Sequence, residues 1–164
     1  AGDADADARF RRALAAAPDD VRTLAAYARF LRHAGRHREA ATLLTAHTDH
    51  DGLQLQCALA AQRSDPTQAA ALAAAQARRY ALAHALGSEP ELRDEAEFLL
   101  ALRHDPVAAL ELAQRNFRTQ RDYEDVDILQ RAALAAQRPQ ALGPLQAWAQ
   151  SQRLSLQSPD VEAR

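Results

Sequence analysis

Lysine and methionine are absent from this sequence of 164 residues, which also has a single cysteine, five glycines and seven prolines. The single Cys57 excludes an intrachain disulfide framework and a zinc site built from cysteines. Its apolar neighbours predict a buried structural thiol. No run approaches the roughly 18 apolar residues that cross a bilayer, so we expect no membrane insertion of this segment. Because even an initiator methionine is absent, we expect a processed or excised chain whose targeting segment would not be visible.

Strong helix formers dominate the composition. Alanine makes up about a quarter of the chain, far more than in a typical soluble domain, and Leu, Arg, Gln and Glu are also plentiful. Because β-branched and aromatic residues are scarce, we predict an all-α protein. The formal net charge of −2 provides no global field that would attract nucleic acid. All twenty basic residues are arginine, which we interpret mainly as the codon bias of a GC-rich bacterial genome.

The stretch YARFLRHAGRHREAATLL, residues 27–44, places two histidines four residues apart among several arginines. His33 and His37 would share a face only on an unbroken helix. Gly35 lies between them and supplies the left-handed conformation that ends a helix. The stretch therefore predicts a joint between two helices and not a metal-binding pair.

The spacings on both sides of this joint resemble the tetratricopeptide repeat, a helix–turn–helix unit of about 34 residues. Ala28 and Ala40 take the small positions at which two antiparallel helices approach closely. The resemblance implies that neighbouring helix pairs stack into a right-handed α-solenoid. The residues that carry it are Ala6, Phe10, Ala13 and Pro18 in a preceding half-unit, and Leu24, Tyr27, Ala28, Leu31, Gly35, Ala40 and Leu44 in the best-matched unit.

The same recurrence of helix pairs predicts about nine helices in one array over residues 1–154. We expect a half-unit at 4–17, pairs at 20–48, 53–86, 90–119 and 123–152, and a flexible tail at 155–164. Much of the later chain is similar to the C-terminal part of uncharacterised, often exported bacterial tetratricopeptide proteins. That resemblance implies part of a larger bacterial protein and favours the periplasm or envelope, with the cytoplasm left open.

Few residues of the sequence fit a catalytic or a metal-binding site. His47, Asp49, His50 and Asp51 are close together in HTDHD, but they lie at a turn, and no fixed third ligand or supporting contacts are evident. The carboxylates of PELRDEAEF and DYEDVD fit the first turns of helices, where the dipole favours negative charge. No phosphate-binding glycine loop or G-x-S-x-G elbow is present, and Cys57 has no recognisable catalytic partner. We therefore expect no enzyme activity, no metal and no cofactor.

In tetratricopeptide arrays the first helix of each pair lines a concave groove, so the outward positions of those helices are candidate binding residues. Family members that grip a C-terminal carboxylate use Lys and Asn, whereas Ala25 and Arg29 stand at the equivalent positions here, which puts that mode in doubt. The candidates for the groove are Arg22, Arg29, Arg32, Asp94, Phe98, Tyr123 and Gln130.

These observations favour a non-catalytic scaffold that binds a peptide or a partner protein, as a monomer or a weak homodimer. One alternative is a structural closing end of a longer solenoid, in which the face of Leu145 and Trp148 is covered by the tail or by a second copy. Another, less favoured, is metal or small-ligand binding at His47 and His50.

Overall fold

The computed structural model describes residues 2–48, 50 and 53–156, and the described residues form nine α-helices and no strand. The all-α prediction is confirmed. Short 3₁₀ turns extend α3 at Thr45–His47 and precede α9 at Pro139–Leu142. No described helix combines the length and the apolar character that a membrane span requires. The helices are α1 (Gly2–Ala16), α2 (Val21–His33), α3 (His37–Leu44), α4 (Gln54–Ala61), α5 (Pro66–Ala85), α6 (Leu92–Ala101), α7 (Pro106–Phe117), α8 (Tyr123–Ala135) and α9 (Gly143–Gln152).

Local signals determine several of the helix ends. Gly35 has φ +73° between α2 and α3, so the predicted joint between His33 and His37 is confirmed. Asp105 caps α7 by accepting a hydrogen bond from the backbone N–H of Ala108, and the following proline occupies the first turn. Because proline lacks the N–H that would be unpaired there, it starts a helix at little cost.

Close contacts divide the chain within α5 into a first unit that ends at Arg78 and a second that begins at Arg79. In the first unit, α2 packs against α3 and α4, α3 packs against α4, and α1 packs against α2. Alanines without exposed surface lie among larger apolar residues in this core. Its buried members are Leu24, Tyr27, Ala28, Leu31, Ala40, Leu44, Leu53, Cys57 and Ala60.

A carboxylate connects three elements of the first unit. Asp7, on α1, accepts hydrogen bonds from the hydroxyl of Tyr27 (2.8 Å) and from Nη1 of Arg36 (2.6 Å), which precedes α3. The hydrogen bonds from Arg36 and Tyr27, with a further one from Arg11, lower the pKa of Asp7 to about 2. Asp7 is therefore charged at neutral pH and ties α1 to the first helix pair.

The second unit packs α6 on α7, α7 on α8, and α6 on α8. Alanines without exposed surface again lie in the core, and Leu145 of α9 is fully buried in the same cluster. The cluster consists of Ala96, Ala109, Leu110, Ala113, Phe117, Ile128, Leu129, Ala132, Ala133 and Leu145.

The long helix α5, like α9, differs from the second helices α3 and α7, which pack closely against the helix before them. Its backbone makes few close contacts with α4, in contrast to the tight pairs α2–α3 and α6–α7. Leu72 packs against the core of the first unit, whereas Leu82 and Leu86 are exposed. The helix predicted over the second half of 53–86 is present, but it is not part of a close hairpin.

Gly35 allows two substitutions to be compared at one position, because a Cβ there would meet no atom within 4 Å other than those of its chain neighbours. Gly35→Ala should lower the free energy of unfolding by about 1 kcal/mol, since alanine is strained at positive φ. Gly35→Asn should lower it by less, because asparagine adopts the left-handed conformation more readily than alanine does. Urea denaturation followed by circular dichroism measures both, and equal losses for the two variants would contradict this account.

Candidate functional site

The basic candidates of the first unit do not share one environment. Arg22 is exposed and Arg29 is half-buried. Arg32 is only 4% exposed, and its Nη1 donates a hydrogen bond to Oε1 of Gln56 at 3.2 Å. Arg32 therefore contributes to packing between α2 and α4, and the expectation that it lies open on a groove does not hold.

In the second unit, two of the four candidates come together. Phe98 was expected on an outward face, but it is 4% exposed and meets the ring of Tyr80 edge-on at 5.2 Å. The face assignment was incorrect because Tyr80 of α5 covers this face of α6. Asp94 is half-buried on the same helix. Tyr123 and Gln130, one exposed and one nearly buried, line the same cavity beside α8.

That cavity, called the α8 cavity below, has a volume of about 330 Å³. Tyr123, Val126 and Gln130 line it from one face of α8, because residues three and four apart share a helix face. Trp148 lines it from α9. Residues 154–156, called the C-terminal strap below, form a further part of the wall. The remaining lining residues are Arg121, Asp122 and Asp127.

An aromatic and cationic stack lies at one end of the α8 cavity. The rings of Phe117 and Trp148 meet edge-on with centroids 5.7 Å apart. The guanidinium of Arg121 lies 5.2 Å from the Phe117 centroid and 6.0 Å from that of Trp148. Its Nε also donates a hydrogen bond to the backbone carbonyl of Phe117 at 3.0 Å. Arg121 contacts both rings, and Trp148 contacts both Phe117 and Arg121. These contacts hold Trp148 and Arg121 in place without a ligand.

A buried ion pair connects α6 to α8. Arg131 pairs with Glu97 of α6 and, through Nε at 2.7 Å, with Asp127 of its own helix. All three side chains are less than one-fifth exposed. Although burial lowers the pKa of Arg131, the two carboxylates raise it well above its usual value. This guanidinium is therefore always charged and fixes the spacing of the two helices.

A second arginine forms ion pairs with the carboxylates at the start of α8. Arg93 pairs with Asp122, Glu124 and Asp125 at 3.1 to 3.4 Å. Asp122 and Asp125 form a reciprocal capping box, and Asn116 donates a hydrogen bond to Asp125 at 2.7 Å. Burial raises the pKa of Asp125. The sequence expectation for DYEDVD was a favourable interaction with the helix dipole. In the structure its carboxylates also cap α8 and pair with Arg93.

The first unit contains two further cavities. One, of about 570 Å³, lies beside α1 to α3 and is lined by Leu14, Tyr27 and Leu43 among others. The other, of about 310 Å³, is lined by Thr42, Thr45 and Ser64 together with apolar residues, and it reaches Cys57. Burial raises the pKa of the Cys57 thiol to about 11, so it is protonated at neutral pH. The predicted buried thiol is confirmed.

No metal-binding group is found in the part of the chain that the structure describes, where no three His, Cys, Asp or Glu side chains are arranged to hold an ion. Of the HTDHD cluster, Asp49 and Asp51 lie outside the described residues. His47 ends the 3₁₀ turn after α3.

Comparisons with protein-family models, curated proteins and solved structures found no match to this chain. The likeness to tetratricopeptide repeats therefore rests on the residue pattern and stays a prediction.

The C-terminal strap and Arg121 are among the contributors to the α8 cavity that sequence reasoning missed. The strap overlaps the start of the tail predicted at 155–164, and residues 157–164 of that tail lie outside the described residues. Its two leucines, Leu154 and Leu156, were the available signal, because a solvated tail gains nothing from apolar side chains. Arg121 was missed because its partner Trp148 is distant in sequence.

Arg131→Met should lower the free energy of unfolding by about 3 to 5 kcal/mol, because it leaves the carboxylates of Glu97 and Asp127 buried without their cation. The matched control is Arg115→Met. It breaks an exposed ion pair with Glu89 and should cost less than about 1 kcal/mol. Chemical denaturation of both variants measures the difference, and similar losses would show that the buried pairs do not hold α6 against α8.

Proposed function

We propose that this chain is a non-catalytic interaction module, a tetratricopeptide-like α-solenoid within a larger bacterial protein of the cell envelope. The proposal is supported by contacts inside each unit. The first helix of one predicted pair touches the first helix of the next, as α2 touches α4 and α6 touches α8. A stack of helix pairs requires contacts of this kind.

The α8 cavity is the observation that carries the binding role. Its volume of about 330 Å³ lies at the lower end of the range for ligand sites, roughly 300 to 1,000 Å³. Tyr123 is 61% exposed at its edge, and Trp148 is already oriented by Phe117 and Arg121. Rigid aromatic groups around a recess are typical of interaction hot spots. The cavity suits one apolar side chain of an extended peptide.

Charge around the cavity indicates what accompanies that side chain. Asp122, with 61% of its side chain exposed, belongs to the cavity lining, and Glu124 and Asp94 are partly exposed beside it. Arg93, their shared cation, is only 23% exposed. Arg121, which contacts Trp148, adds one exposed positive charge to the same lining. The accessible charge beside Asp122 is mainly negative and favours a peptide with Arg or Lys next to its apolar anchor.

The second candidate function is structural, as a closing end that seals a longer solenoid. It is favoured by the position of the C-terminal strap, which lies beside Trp148 where a further helix pair would have to pack. In this reading no partner enters the α8 cavity.

A peptide library displayed on phage separates the two functions. We expect selection for peptides with an apolar residue flanked by Arg or Lys, and Tyr123→Ala should weaken binding of the selected peptides by about tenfold or more. The control is Leu82→Ala, which removes an equally exposed apolar side chain from α5. Fluorescence anisotropy measures the affinities. Failure to select any peptide would favour the structural role, and equal binding by Tyr123→Ala would exclude the α8 cavity as the site.

A further inference from the structure

A cavity of the first unit follows one side of α3. It is the cavity of about 310 Å³ that reaches Cys57, called the α3 cavity below. Arg38 and Thr42 line it from α3, Thr45 from the turn that extends α3, and Leu72 from α5. Because the backbone of α5 makes few close contacts with α4, space is left between these two helices and α3.

Three hydroxyls in the wall of the α3 cavity are already engaged. Those of Thr42 and Thr45 donate hydrogen bonds to backbone carbonyls four residues earlier, at 2.9 and 3.0 Å. That of Ser64 makes the same kind of bond at 3.4 Å. Because a hydroxyl has one proton to donate, these three groups offer no hydrogen-bond donor to an anionic ligand. The donor for such a ligand has to come from another part of the wall.

Arg38 provides that donor together with a positive charge. It is exposed, and its guanidinium makes no ion pair or hydrogen bond with the part of the chain that the structure describes. Its neighbour Arg36 differs, because Asp7 and Glu39 pair with it. The described lining of the α3 cavity includes no carboxylate, and Cys57, whose pKa burial raises to about 11, is a neutral thiol there. The charge of the described wall is therefore positive.

Apolar side chains form another part of the wall. Leu44 is 1% exposed and Leu72 is half-buried, and both line the α3 cavity. Arg38 and Thr45 lie seven residues apart, which is about 10 Å along a helix. At roughly 30 Å³ for each water-sized group, the cavity admits about ten such groups, which is the size of an eight-carbon carboxylate.

We propose that the α3 cavity binds a small carboxylate with a short alkyl chain, whose head group pairs with Arg38. A guanidinium offers parallel N–H donors that match the two oxygens of a carboxylate. The alkyl chain gains by leaving water for the sides of Leu44 and Leu72. It requires no hydrogen bond, which suits a wall whose hydroxyls are bonded within their own helices. This function is additional to peptide binding at the α8 cavity and does not depend on it.

Octanoate is the probe, and equilibrium dialysis measures its binding. We expect Arg38→Met, which removes the charge and keeps an unbranched side chain, to weaken octanoate binding by about tenfold or more. The matched control is Arg12→Met, which changes an exposed arginine outside the cavity lining and should bind like the parent chain. Octylammonium, with the opposite charge, should not compete. No binding at millimolar octanoate, or equal binding by Arg38→Met and the parent chain, would overturn the proposal.

Cys57 tests where the alkyl chain lies, because it is the sole cysteine of the chain and lines the α3 cavity. Labelling by methyl methanethiosulfonate is followed by mass spectrometry. With octanoate at about ten times its dissociation constant, roughly one molecule in eleven is free, so labelling should slow by about tenfold. Arg38→Met at the same octanoate concentration should be protected much less. Octanoate binding without a change in the labelling rate would place the ligand outside the α3 cavity and overturn this site.

Discussion

Close approach of helices through buried alanine is the constraint on which both units depend. Helix axes come within about 8 to 10 Å only where side chains at the contact allow it. Ala28 and Ala40 have no exposed surface in the first unit, and Ala109 and Ala132 have none in the second. Since these contacts use the smallest side chains, the apolar area that each buries is modest. Larger residues therefore have to fill the gaps beside them, which is the role of Leu110 and its equivalents in the other core.

Buried charge supplies the specificity that small apolar contacts lack. Alanine faces are nearly interchangeable, whereas Arg131, which Asp127 of the same helix holds in place, can reach Glu97 in only one register of α6 against α8. Such pairs are weak evidence for net stability, because removing charges from water is costly, but they penalise every arrangement that separates them. Between α2 and α4, the hydrogen bond from Arg32 to the neutral Gln56 takes the place of such an ion pair.

Helix limits were predictable because their causes are local, whereas the positions of side chains were not. Gly35 and Pro106 specify ends through their own backbone chemistry, and both appear where the sequence indicated. Arg32 and Phe98 were assigned to an outward face because a hairpin pattern considers one neighbour at a time. Arg32 meets Gln56 of α4 and Phe98 meets Tyr80 of α5, so each lies on a face that a helix outside its own predicted pair covers. The C-terminal strap lines one cavity together with a helix about thirty residues earlier, and no local periodicity encodes that.

The exposed edge of α8 presents a conflict between packing and exposure of apolar surface. Val126 and Trp148 pack against the core of their own unit, so their remaining surface cannot be made polar without loss of that packing. Apolar surface left open promotes unspecific association. Cover by a well-packed helix would remove that risk but would also close the α8 cavity. The C-terminal strap covers the surface only in part, since Leu154 is 53% exposed and a volume of about 330 Å³ stays empty beside α8.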